Sequence, residues 1–209
     1  MEENPLWGMP YGLPALANDE QQILLGWLRQ GATMSAPVPL SDDLVKRIDK
    51  WESYLNQDSL KQQISSRYIY EHLFLSHFYF SDVEEKQFFN LVRSSTPPGE
   101  PVKRIATRRP YEDPGVDRVY YRLIPERETI VDKTHMPFAL NDQRMQKWKE
   151  WFVDADYKVE KLPSYEAHVA SNPILAFADI PVRSRYKFLL DEAQNTIMPI
   201  SKGPYVVVS

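Results

Sequence analysis

The densest concentration of groups able to do chemistry is the run from Arg67 to Phe80, RYIYEHLFLSHFYF, where Tyr68, Glu71, His72 and His77 are set among apolar residues. Read as a helix at about 100° per residue, Tyr68, His72 and Tyr79 fall near one stripe, while His72 and His77 point about 140° apart. A zinc-protease helix needs histidines at i and i+4 around a glutamate, and Glu71-His72 with His77 misses that spacing. The two histidines are a poor metal pair on one helix; core residues with hydrogen-bonded polar tips are the other reading. A second cluster is Thr107-Arg108-Arg109-Pro110-Tyr111, with Arg104, Arg118, Arg122 and Arg127 close in sequence. Guanidinium donors match carboxylate and phosphate oxygens bidentately, so this basic stretch can seat an anion. Asp113, Asp117, Glu126 and Glu128 stand near enough in sequence to neutralise it instead. A third is Lys133-Thr134-His135-Met136-Pro137, where the histidine beside a thioether suits iron or copper, suits a general base, or is a structural loop residue.

Several chemistries are excluded outright. The chain has no Cys, hence no disulfide, no thiolate-bound metal and no thiol nucleophile within these residues. No Gly-x-Gly-x-x-Gly, P-loop or Gly-x-Ser-x-Gly occurs, so nucleotide binding and the common serine-hydrolase chemistry have no support. A formal charge of −4 argues against non-specific nucleic-acid binding, which draws on Lys and Arg neutralising phosphates. With 209 residues, 43% of them hydrophobic and 26% charged, the chain can bury a sizeable core. Seventeen Pro against seven Gly point to stiff connections between short elements. The opening MEENPLWGMPYGLP lacks the basic and apolar regions of a signal peptide, and no apolar stretch approaches the roughly 20 residues of a membrane-spanning helix.

The elements that must hold these groups read as mainly α with a small β element. Asn18 or Asp19 caps a helix carrying Ile23, Leu24, Trp27 and Leu28, and Gly31 stops it. Ser41-Asp42-Asp43 caps a second, with Leu44, Ile48, Trp51 and Leu55 on its inner face. Residues 59–80 read as one central helix buried on most of its circumference, and residues 82–93 as a shorter helix ended by Pro97-Pro98-Gly99. That segment is the expected boundary of an α+β subdomain, in which 119–124 and 129–134 read as paired strands. Asn141 or Asp142 caps a helix with Met145, Trp148, Trp151 and Phe152; another begins after Pro181; and Tyr205 to Ser209 reads as a strand. The expected organisation is residues 1–35, a helical subdomain at 36–96, and an α+β subdomain at 97–209.

Gly8-Met9-Pro10 and the helix behind it resemble the last loop and helix of a class I c-type cytochrome domain, where a Met-Pro loop offers its thioether to iron. That resemblance implies Met9 as the axial ligand of haem c, although the C-x-x-C-H attachment motif is absent. A broader resemblance rests on GMPYGLPAL, RYIYEHLFLSHFYF, the long run from TPPG through ATRRPY to ETIVDKTHMP, and LPSYEAHVASNPILAFADIPVRSRYKFLLDEAQ. Together these resemble the bacterial fatty acid cis/trans isomerases over nearly the whole chain. The family is longer and periplasmic, so the resemblance implies an internal fragment or truncated product. It also implies conversion of cis-unsaturated acyl chains of membrane phospholipids to trans, adapting membrane fluidity to stress. An electrophilic ferric haem would lower the bond order of the double bond while it rotates. Aromatic walls would accommodate the chain and arginines its head group, with peripheral membrane contact. Arg108, Arg109, Tyr111, Tyr121 and His135 are the residues expected at the substrate site. The competing expectation is a non-catalytic cytochrome-like, lipid-binding or partner-binding module.

Overall fold

The computed structural model describes residues 16–33, 39–85, 87–127 and 135–202. The chain forms two compact units, Met1–Pro39 and Leu40–Ser209. In the first, helix α1 spans Asn18–Arg29. Its N-cap is Ala17, whose N–H donates to the Glu20 carboxylate at 3.0 Å, so Asn18 is the first helical residue rather than the cap. Trp27 closes the other end by donating from its indole to the Thr33 carbonyl at 2.9 Å, and Gly31 turns the chain at φ +87°. Met9 and the Met-Pro loop lie outside the described residues.

The second unit is α+β. Helices α2 (Asp42–Leu55) and α3 (Leu60–Leu73) begin at Ser41 and Ser59, whose hydroxyls accept from the backbone N–H three residues on. The expected face of α2 is the buried one, Leu44, Trp51 and Leu55, with Ile48 packed at its edge. Helix α3 is buried around most of its circumference, as expected, but it stops at Leu73. Strand β1 (His77–Phe80) follows after a short turn. Its burial alternates, with Phe78 and Phe80 inward and His77 and Tyr79 half-exposed, which is the period of a strand. Strand β2 (Phe89–Ser94) replaces the helix expected over 82–93. It is the inner strand between β1 and β3 (Tyr120–Pro125), and only Asn90 along it escapes full burial. A strand covered on both faces loses the alternation that marks it, so FFNLVR fits either period.

Strand β4 (Pro137–Leu140) completes a sheet of order β3-β2-β1-β4, with β1 and β4 parallel and the other neighbours antiparallel. Both strand prolines, Pro125 and Pro137, sit on edge strands, where a missing N–H costs no ladder bond. The subdomains expected to meet at Pro97-Pro98, the second packed on the first, share this sheet, because β2 precedes that turn and β3 follows it. Residues 129–134, expected as a strand, and the terminal strand from Tyr205 lie outside the described residues.

Helix α4 (Asp142–Trp148) is capped by the Asn141 side chain and runs into a π-helical turn, Lys149–Val153. Short helices α5 (Ala167–Ala170) and α6 (Pro173–Ala176) lead to α7 (Val182–Lys202), which starts after Pro181 as the sequence predicts. These helices cover α3 through an aromatic cluster: the Tyr68 ring lies 4.9 Å from Phe177, 5.4 Å from Phe188 and 5.7 Å from Phe152. No helix among the described residues is long and apolar enough to cross a membrane.

Candidate functional site

The site grows from one buried charge. Arg93 lies near the end of β2 with only 2% of its surface exposed. Its guanidinium donates to the Glu112 carbonyl at 2.8 Å and to the Thr107 hydroxyl, and Thr107 in turn donates to the Arg109 carbonyl at 2.7 Å. The Arg108 backbone N–H donates to the Glu112 carboxylate at 2.9 Å. Residues 107–112 therefore wrap around Arg93, which places Arg108 and Arg109 at the surface beside it. A second tie comes from the chain before this loop, where Ile105 N–H donates to the Arg93 carbonyl at 2.8 Å and Arg104 bridges to Ser94.

These segments wall a cleft of about 510 Å³, a volume ordinary for a small-molecule site. Arg93, Arg104, Arg108, Arg109 and Arg127 line it, together with an apolar wall of Tyr70, Phe74, Leu75, Ile105 and Ile124. Among the described residues, none of these five arginines has a carboxylate within 4.0 Å. The arginines that do are Arg47, Arg67, Arg118, Arg122 and Arg144. Of the acidic residues near this stretch in sequence, Asp113 accepts from Gly115 N–H, Glu126 lines the cleft and accepts from the Asn90 amide, and Glu128 lies outside the described residues. The Arg93 Nε is buried without a hydrogen-bond partner. A buried guanidinium short of one acceptor is costly. A cleft of similar size between α2 and residues 82–85 differs in this respect, because Arg47 there is paired with Asp82 at 2.8 Å and Lys50 with Asp142 at 2.7 Å.

In and behind the wall of the cleft, burial shifts the titratable groups. The Tyr70 hydroxyl is pushed above its ordinary value by burial, opposed by the charges of Arg93 and Arg104. Glu71 is raised by burial in spite of Arg67, whose Nε donates to it at 2.7 Å, and His72 is lowered by burial while its Nδ1 sits 2.8 Å from the Tyr68 carbonyl.

Of the residues expected at the substrate site, Arg108 and Arg109 line this cleft. Tyr111 lies under Arg109, whose guanidinium is 5.9 Å from its ring. Tyr121 is buried behind the wall, 5.4 Å from the Tyr70 ring, and burial pushes its hydroxyl well up. Its backbone is clamped by the Asn56 side chain at 2.7 and 2.8 Å, so it acts as a support. His135 is outside the lining and pairs with His77. Sequence reasoning missed Arg93 and Tyr70. The available signal was an arginine directly after the mainly apolar run FFNLV, which a helical reading assigns to a wet face.

The haem implied by the resemblance meets no ligand set among the described residues. No His or Met lines the cleft. His77 and His135 present nitrogens 2.9 Å apart, whereas ligands on opposite sides of one iron stand about 4 Å apart, twice a bond of about 2.0 Å.

A model of the fatty acid cis/trans isomerase family matches residues 1–207. The chain belongs to that family. No curated protein and no solved structure matches it. Membership makes fatty acid cis/trans isomerisation the activity to be explained, and the cleft has the two surfaces an ionised acyl compound needs: a cationic rim, and an apolar wall on which a chain can lie.

Proposed function

We propose that the arginine-lined cleft holds the anionic end of a cis-unsaturated acyl lipid, the phosphate of a membrane phospholipid, while the acyl chain lies along Tyr70, Phe74, Leu75 and Ile105. The observation that carries this reading is the set of five cleft arginines without a carboxylate partner among the described residues, one of them buried with an unpartnered Nε. Rotation about an intact double bond is prohibitively slow, so the isomerase must hold the chain still while the bond order is lowered. Fixing one end of a flexible chain supplies part of that positioning. In this reading the reaction is cis-to-trans isomerisation of phospholipid acyl chains at a periplasmic membrane face, stiffening the bilayer under stress. The haem c of the family resemblance would be met by Met9, outside the described residues.

The test uses vesicles and micelles of cis-unsaturated phospholipid. Arg108→Ala/Arg109→Ala is expected to weaken phospholipid binding by about 10- to 100-fold, the loss of charge-assisted hydrogen bonds, and to slow formation of trans chains in parallel. Unchanged binding and unchanged trans product with folded protein would remove the cleft from the substrate site. Retained binding with no trans product from the unsubstituted chain would favour a lipid-binding module instead.

A further inference from the structure

His77 opens β1, and His135 stands two residues ahead of β4, the parallel neighbour in which Pro137 is level with His77. The His77 backbone N–H donates to the Met136 carbonyl at 2.8 Å, so the ladder itself sets the two side chains next to each other. Their Nδ1 atoms are 2.9 Å apart, with ring centroids 4.9 Å apart and planes inclined by 30°. Phe88 stands edge-on to both rings, 4.7 Å from His135 and 6.5 Å from His77, which restricts their rotation. Both imidazoles are half-buried, open enough for an ion to reach them.

Two imidazole nitrogens facing each other at this distance share either a proton or a cation, since two bare lone pairs repel. With metal–nitrogen bonds of about 2.0–2.1 Å, a ligand–metal–ligand angle near 90° needs the nitrogens about 2.9 Å apart, and a tetrahedral angle about 3.4 Å. The observed separation matches the first. We propose that His77 and His135 form a metal site that takes one divalent first-row ion of tetragonal or octahedral preference, Cu²⁺ ahead of Ni²⁺, with water completing the coordination. Among the described residues no third His, Asp or Glu joins them. Without metal, one Nδ1–H donates to the other Nδ1. On binding, that proton moves to Nε2 of the same ring, a change of tautomer that releases no proton, and the ion sits to one side of the line joining the two Nδ1 atoms.

The full chain titrated with Cu²⁺ alone, followed by calorimetry and electron paramagnetic resonance, tests this. One tight equivalent with splitting from two imidazole nitrogens is expected. His77→Gln and His135→Gln should each weaken binding by about tenfold or more and remove one nitrogen from the splitting. His168→Gln, on a side chain 73% exposed and distant in sequence, should change neither. Binding that survives both substitutions unaltered, or that is lost with His168→Gln, overturns the site. A measurement on the unsubstituted chain guards against misfolded variants: with histidines isotopically labelled, substoichiometric Cu²⁺ should broaden the ring signals of two of the four histidines, those of His77 and His135. Broadening of His72 or His168 instead would refute it.

Discussion

Replacing Glu52 with Gln tests how the frame of the cleft is held. Glu52 in α2 is 2% exposed, and its two oxygens are both used: one accepts from Arg122 Nε at 2.6 Å, the other from Leu123 N–H at 2.8 Å. Arg122 also donates to the Pro97 and Glu100 carbonyls at 2.6 and 3.1 Å, so this carboxylate joins α2, β3 and the turn after β2. Burial raises the Glu52 carboxyl above its ordinary value, and the Arg122 charge opposes the shift. Gln keeps the bond to Leu123 but leaves Arg122 as a buried charge without a counter-ion, and breaking a buried pair in this way costs about 3–5 kcal/mol. For a chain of this size that is a fall in Tm of about 6–20 °C, at about 2–4 °C per kcal/mol. Differential scanning calorimetry at pH 7 measures it. The double variant Glu52→Gln/Arg122→Met removes the stranded charge and should recover most of the loss, because replacing a whole buried pair is often near neutral. A single-variant shift below about 2 °C, under 1 kcal/mol on the same scale, would refute the reasoning, as would a double variant as unstable as the sum of its parts.

Phe188→Ala should cost about 3–5 kcal/mol in urea unfolding, because its ring is fully buried between Tyr68, Trp148 and Phe152. Asn56→Ala should cost about 1–3 kcal/mol and speed exchange of the Tyr121 amide, whose acceptor is the Asn56 side chain at 2.7 Å; an unaffected Tyr121 amide would mean the clamp is not what holds β3. Glu71 is raised above 4.5 in the folded chain, so its contribution to stability is full below that pH and is lost as pH rises through the folded value. The urea stability of the native chain minus that of Glu71→Gln should therefore fall between pH 4.5 and neutrality, and a rising difference would show that Arg67 outweighs burial. His72 acts with the opposite sign: burial lowers its value below 6.5, so acidification through that region destabilises the fold and His72→Gln should lessen that loss.

Local chemistry in the sequence determined three of the helix starts and the inward face of α2. Ser41, Ser59 and Asn141 cap where a side-chain oxygen can reach the third N–H, and Leu44, Trp51 and Leu55 face inward because their spacing allows one buried stripe. The long motif from TPPG to THMP is the run on which the resemblance mainly rests, the family model matches residues 1–207, and the TRRPY segment marked two arginines that line the cleft. Only the tertiary structure decided that the aromatic run breaks at Leu73 into β1 and that FFNLVR is an inner strand, since a segment covered on both faces shows no period of its own. It also decided which arginines are paired. Arg118 and Arg122 lie in the same basic stretch as Arg108 and Arg109, yet they find carboxylates at Asp58 and Glu52, more than fifty residues away in the chain. The meeting of His77 with His135 is of the same kind, 58 positions apart and joined only by the register of two parallel strands. Charge compensation and side-chain pairing are set by distance in space, and sequence spacing reports that distance only within one helix turn or one strand.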